Sequence, residues 1–165
     1  MSTYYRRHIV AARFTESDRG FMAEALAEAR RGAAEGEVPV GAVVVHEGRI
    51  IGRGHNRPIA LKDPTAHAEV LALREAARTL GAYRLVDTTI YVTLEPCVMC
   101  VGALINARVK ILKYGALDPK AGALGSVYDI GRDGRLTHAL EVYAGLMESE
   151  CAALMREFFQ TRRGR

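Results

Sequence analysis

Thr88-Thr89-Ile90-Tyr91-Val92-Thr93-Leu94-Glu95-Pro96-Cys97-Val98-Met99-Cys100 is the stretch on which the fold turns. Its first half alternates Ile90, Val92 and Leu94 with Thr and Tyr, the period-two pattern of a strand. Its second half opens a helical pattern that reaches Asn106, with two cysteines three apart at its start. Pro96 is predicted at the first helical position, where a missing N–H is harmless, so Cys97 and Cys100 fall in the first turn. There the unpaired amides and the helix dipole favour thiolate over thiol. Two thiolates on one face can hold a metal; alone, the same spacing also fits a redox pair or two buried thiols.

Outward from this stretch, the chain reads as alternating helices and strands. Residues 1–15, with Arg6, Arg7 and Arg13, lack periodicity and read as an N-terminal arm ahead of one domain over 16–165. Ser17 is the expected N-cap of a first helix, in which Phe21, Met22, Ala25, Leu26 and Ala29 recur at helical spacing until Gly32 and Gly36. Val38–Val45 and Arg49–Gly54 form two β-rich runs joined around His46-Glu47-Gly48, as in a hairpin. Gly54–Ile59 then reads as a loop. Asp63-Pro64-Thr65 begins a second helix, whose first turn carries His67 and Glu69. Arg108–Tyr114 supplies a further strand, so strand, cysteine helix and strand make a crossover unit with parallel outer strands. The glycine-bearing segment Gly115–Gly125 is a candidate pocket wall beside the strand ends. Leu136–Tyr143 is read as a short last strand, and Leu146–Phe159 as an amphipathic C-terminal helix in which Cys151 is packing material.

Size and composition narrow the function classes. A chain of 165 residues, 49% hydrophobic, fits a single globular domain. No run approaches the roughly 20 apolar residues of a membrane span, and no signal-peptide pattern opens the chain, so no membrane partner and a cytoplasmic location are expected. Three cysteines, two of them close together, do not make a disulfide framework. The net charge of +4 leans toward polyanions without establishing a nucleic-acid partner.

His67, Cys97 and Cys100 together offer one imidazole and two thiolates, a soft set suited to Zn²⁺. Residues two apart on a helix do not share a face, so Glu69 is not a further ligand; its useful place is beside a metal-bound water. A structural site would need a fourth ligand from His46, His55, His138 or Cys151, none of which shows paired spacing. The open site is better supported: it would activate water, with Glu69 taking and returning the proton.

His67-Ala68-Glu69 followed by Pro96-Cys97-Val98-Met99-Cys100 resembles the signature of the zinc-dependent cytidine/deoxycytidylate deaminase superfamily. Within it, the chain is similar to the bacterial tRNA-specific adenosine deaminases from about Phe21 to Arg163. The similarity is carried by Glu37–Ala42, Asn56–Ile59, Asp63–Glu69, Tyr91–Cys100, Gly115-Ala116, Asp118, Lys120, Gly125-Ser126 and Glu150–Leu154 with Phe158-Phe159. The resemblance implies a three-layer α/β cytidine deaminase-like fold, with a mixed five-stranded sheet flanked by helices, and a homodimer with one Zn²⁺ per subunit. It implies conversion of adenosine to inosine at the wobble position of a tRNA anticodon stem-loop. It assigns zinc to His67, Cys97 and Cys100, proton transfer to Glu69, and substrate contacts to Asn56, Val38, Ala68, Leu94, Asp118 and Phe159. Thr137, where well-known members carry Asn, Pro119 in the pocket loop and the acidic Asp133 depart from the pattern and bear on flanking-nucleotide preference.

Overall fold

The computed structural model describes residues 14–164. Most of the expected N-terminal arm lies outside them, and within them Phe14 packs onto the core. The first helix, α1 (Glu16–Ala34), is capped by Thr15 rather than by Ser17. The Thr15 hydroxyl accepts from the Asp18 amide at 3.0 Å, and the Asp18 carboxylate accepts from the Thr15 amide at 3.0 Å. This reciprocal box satisfies two orphan donors at once, with Asp in the place usually taken by Glu.

The hairpin forms as the sequence suggests, but its first strand is shorter. β1 (Gly41–His46) pairs antiparallel with β2 (Arg49–His55), while Val38 to Val40 lead in without joining the ladder. Glu47 at φ 49° and Gly48 at φ 75° both adopt positive φ, so the two-residue connection twists with the strands. A four-residue helix, α2 (Pro58–Leu61), occupies what reads in sequence as loop, with Pro58 opening it. Then follow α3 (Ala68–Leu80), β3 (Thr89–Leu94), α4 (Val98–Asn106) and β4 (Ile111–Ala116). β5 (Glu141–Ala144) begins five residues later than the pattern from Leu136 implied, and α5 (Glu148–Arg163) ends the described chain.

The sheet order is β2-β1-β3-β4-β5. β1 is antiparallel to both its neighbours, and β3, β4 and β5 are mutually parallel, so the sheet is mixed. Both faces are covered, which explains why the central strands are apolar at nearly every position. Ala42, Val44, Ile90, Val92 and Leu112 face α3 and α4, while Val43, Val45 and Tyr91 face α1 and α5. On β2, Gly52 and Gly54 let α3 lie against bare backbone: a Cβ at Gly54 would collide with the Ala68 carbonyl. This close seat fixes where the N-terminus of α3 points.

Candidate active site

Two helix N-termini converge beside the carboxyl end of β3, a position where α/β sheets commonly bind ligands. His67 is the N-cap of α3 and Cys97 the N-cap of α4, each in extended backbone. Pro96 thus stands before the cap rather than at the first helical position, and Cys100 alone of the pair lies inside the first turn. Nδ1 of His67 is 3.7 Å from Sγ of Cys97 and 3.5 Å from Sγ of Cys100. A tetrahedral zinc ion bound by one imidazole and one thiolate holds N and S about 3.6 Å apart, from its usual bond lengths. The spacing therefore fits the ion as well as the donor chemistry does.

Among the described residues these three form the group able to hold a metal, their donor atoms all within 4.8 Å of one another. Of the other sequence candidates, His46 ends β1 beside the start of β3, at the opposite end of the sheet from the metal turn, and the other three are engaged elsewhere. Nδ1 of His55 lies 2.9 Å from the Glu28 carboxylate, Nε2 of His138 lies 2.7 Å from the Val109 carbonyl, and Cys151 is buried on α5 against Gly115. Three protein donors leave the fourth position of a tetrahedral ion to an exchangeable ligand.

The electrostatics suit metal capture. The hydrogen bond from Cys100, aided by His67, draws the Cys97 thiol down to about 4 against the effect of burial. Cys100 is pushed the opposite way by the same bond, by burial and by the charge of Glu69. The hydrogen bond to Cys97 raises His67. A dication seated among these donors deprotonates both thiols outright. Glu69, in the first turn of α3, is 3% exposed, contacts Cys100, and is raised by burial.

Around this centre, Asn56 accepts the Ala68 amide on its side-chain Oδ1 at 2.8 Å, and its backbone amide donates to the Val40 carbonyl at 3.1 Å. Asn56 therefore caps the start of α3 and fixes its own side chain. Ala68 is fully buried, and Val38 and Leu94 are partly buried against the same core. Asp118 is held through its amide, which donates to Glu95 at 3.0 Å. Phe159 stands apart on α5, 42% exposed.

Two buried carboxylates here hold neighbouring segments in ways sequence reasoning did not identify. Glu37, 1% exposed, accepts the Ile59 amide that opens α2, and Glu95, 2% exposed, accepts donors from the loop after β4. The available signal was a glutamate within otherwise apolar segments, Glu37 before Val-Pro-Val and Glu95 before Pro-Cys.

An open imidazole–dithiolate site with a buried carboxylate two residues from the imidazole is the apparatus of a zinc-dependent nucleobase deaminase. The cytidine and deoxycytidylate deaminase zinc-binding region matches residues 15–116. A tRNA-specific adenosine deaminase of Haemophilus influenzae is 48% identical over 150 residues, covering 90% of this chain and 87% of its own. A solved structure from a study of A-to-I editing by tRNA:A34 deaminases superposes with a TM-score of 0.79 at 48% identity, covering 82% of this chain and 98% of that one. A guanine deaminase from Nitrosomonas europaea shares the fold at 26% identity and TM-score 0.73, covering 96% of this chain and 93% of its own. The chain belongs to the cytidine and deoxycytidylate deaminase family, on the branch of the tRNA-specific adenosine deaminases.

Proposed function

We propose that this protein hydrolyses adenosine to inosine at the wobble position of a tRNA anticodon, with zinc held by His67, Cys97 and Cys100. The observation that carries the chemistry is Glu69, a carboxylate buried beside a three-donor site. The address on RNA is supported by relatives that act on tRNA at about half sequence identity. Bound zinc supplies a Lewis acid that makes water nucleophilic near neutral pH. Glu69 takes the proton from that water as oxygen adds to C6 of the adenine, and passes it to N1. The same carboxylate then takes the remaining hydroxyl proton from C6 and delivers it to the amine as the C6–N bond breaks, so adenosine and water become inosine and ammonia.

The remaining residues hold the base and its neighbours. Asn56, oriented by its bond to Ala68, presents its amide to the flipped adenine, with Val38, Ala68 and Leu94 as apolar walls. Asp118 and Phe159 meet the flanking nucleotides. An anticodon loop suits such a site because its bases are already unpaired and splay at small cost. We further infer one deaminase domain over 16–165 behind an N-terminal arm, and a cytoplasmic homodimer. Val98 and Met99, apolar and exposed on the first turn of α4, are surface that a second copy would cover. No helix among the described residues is long and apolar enough to cross a membrane.

The test is inosine formation on an anticodon stem-loop with adenine at the wobble position, beside free adenosine, cytidine, deoxycytidylate and guanine. Conversion of the stem-loop alone is expected, lost on chelation. Glu69→Gln should retain zinc by elemental analysis and lose at least about 10²-fold in turnover, the usual worth of a general acid–base. Near-normal turnover in that variant would remove Glu69 from proton transfer. Turnover of free guanine instead of the stem-loop would keep the chemistry and overturn the RNA substrate.

A further inference from the structure

Glu95 lies two residues before Cys97, and its carboxylate is bonded by the loop after β4. Its backbone amide donates to the Ala116 carbonyl at 2.8 Å, prolonging the β3–β4 pairing by one step. Its carboxylate meets four donors. Oε1 accepts the amides of Leu124 and Ser126, each at 3.1 Å, and Oε2 accepts the Asp118 amide at 3.0 Å and the Ser126 hydroxyl. Four donors match the four acceptor sites of a carboxylate. Among the described residues no basic side chain pairs with Glu95, so backbone amides and one hydroxyl replace the water it gave up on burial.

The loop is shaped for this contact. Gly122 passes so close that a Cβ there would collide with the Glu95 carboxyl group. The loop is also stitched to the metal turn, through the Ala123 amide to the Pro96 carbonyl at 2.9 Å and a bridge between Cys97 and Gly122. Within it, Oδ1 of Asp118 accepts the Lys120 amide at 3.0 Å and the Ala121 amide at 3.3 Å, which fixes the direction of that side chain. The fixed Asp118 turn thus hangs from one oxygen of Glu95.

We propose that Glu95 is a positioning residue for substrate recognition: its buried carboxylate sets the loop 118–126, and with it Asp118, at a fixed distance from the metal donors. This rests on the tRNA deaminase reading above. Glu95 touches neither metal donor nor reacting atoms; it determines how tightly the nucleotides beside the target base are held.

Glu95→Gln separates this role from general support of the fold. The variant keeps shape but replaces an acceptor with an NH₂ that must face two donors. The Ser126 hydroxyl can rotate to accept from it, whereas the Asp118 amide cannot, so the NH₂ settles there and frees Asp118. The stem-loop KM should rise about tenfold or more, one charge-assisted hydrogen bond's worth, with kcat within about threefold and zinc content unchanged. Hydrogen exchange at the Asp118 amide should quicken while the β3 amides stay protected. Gly122→Ala pushes on the same contact from the loop side and should give the same split between KM and kcat, which covers a poorly folding Glu95 variant. An unchanged KM with intact Asp118 protection would overturn the proposal, as would loss of zinc and kcat together, which would make Glu95 a support of the metal turn. A wild-type protein inactive on the stem-loop would sink the functional reading instead, and Asp118 exchange in Glu95→Gln would still decide whether the clamp exists.

Discussion

Asp18 binds the start of α1 to the sheet. Only 5% exposed, it accepts the Tyr91 hydroxyl at 2.7 Å, the Lys113 ammonium at 2.8 Å and the Thr15 amide at 3.0 Å. Burial alone would raise its pKa, but the bonds from Lys113, Thr15 and Tyr91 outweigh it and hold the carboxyl below the ordinary 3.8. A carboxylate with a depressed folded pKa contributes stability that is fully present above its unfolded pKa and is lost as pH falls through the folded value. Asp18→Asn should therefore cost about 2 kcal/mol in urea unfolding at pH 7, the worth of a hydrogen bond to a charged group, and the deficit should shrink steadily below pH 4. A deficit independent of pH would mean that shape, not charge, matters at this position. The partner Lys113 lies 95 residues away, so nothing local in the sequence announces the pair. The metal donors were legible for the opposite reason. Cys97 and Cys100 lie three residues apart and His67 lies two residues from Glu69, so local spacing exposes their chemistry, whereas the loop partners of Glu95 meet it only through the fold.

Helices α3 and α1 owe their placement to glycines in the strands beneath them, and the site inherits its geometry from that seating. A Cβ at Gly54 would strike the Ala68 carbonyl, one residue from His67 and from Glu69; at Gly52 it would strike the Ala72 carbonyl, about one turn further along α3. Gly54→Ala should lower stability by about 1–3 kcal/mol, as overpacking does, and lower zinc occupancy because the displaced helix start carries a donor. Gly52→Ala should lower stability by a similar amount and retain more zinc. Parallel thermal melts and metal analysis test this, and equal zinc loss in both would show that helix position along its length does not matter. Most elements were legible because apolar period and punctuation agree across β1 to α4. The misread pieces have local causes. Pro58 admits a turn of helix where Gly, Asn and Pro suggest loop, and β5 has only four residues with none fully buried, so alternation marks it poorly.

At the scale of the whole molecule, the C-terminal helix is connected to the start of α3 through the segment 36–40 and hydrogen bonds at either end of it. The Arg162 guanidinium donates to the Gly36 carbonyl and stacks over the Phe158 ring at 4.3 Å. Gly36 precedes Glu37, which accepts the Ile59 amide in the first turn of α2; Val40, three residues on, accepts the Asn56 backbone amide; the Asn56 side chain in turn holds the start of α3. A nucleotide bound on α5 would therefore be held at a set distance from Glu69. Phe159 is the group proposed for such binding: its ring is exposed, braced edge-on by Phe158 at 5.4 Å, and three residues from Arg162 and four from Arg163. Stacking of a base on an exposed aromatic ring is worth about 1–3 kcal/mol, so Phe159→Ala should raise the stem-loop KM about 5- to 150-fold. The ring is peripheral to the core, so the melting temperature, zinc content and kcat should hold, the pattern of an interaction made equally in ground and transition states. Phosphate contacts from Arg162 and Arg163, if the RNA reaches them, would differ by responding to salt. Removing Arg163, which has no role in docking the helix, should flatten the logarithmic salt dependence of binding by about 0.7. Unchanged KM in Phe159→Ala together with an unchanged salt slope in Arg163→Ala would remove α5 from the RNA footprint and confine recognition to the loop that Glu95 holds.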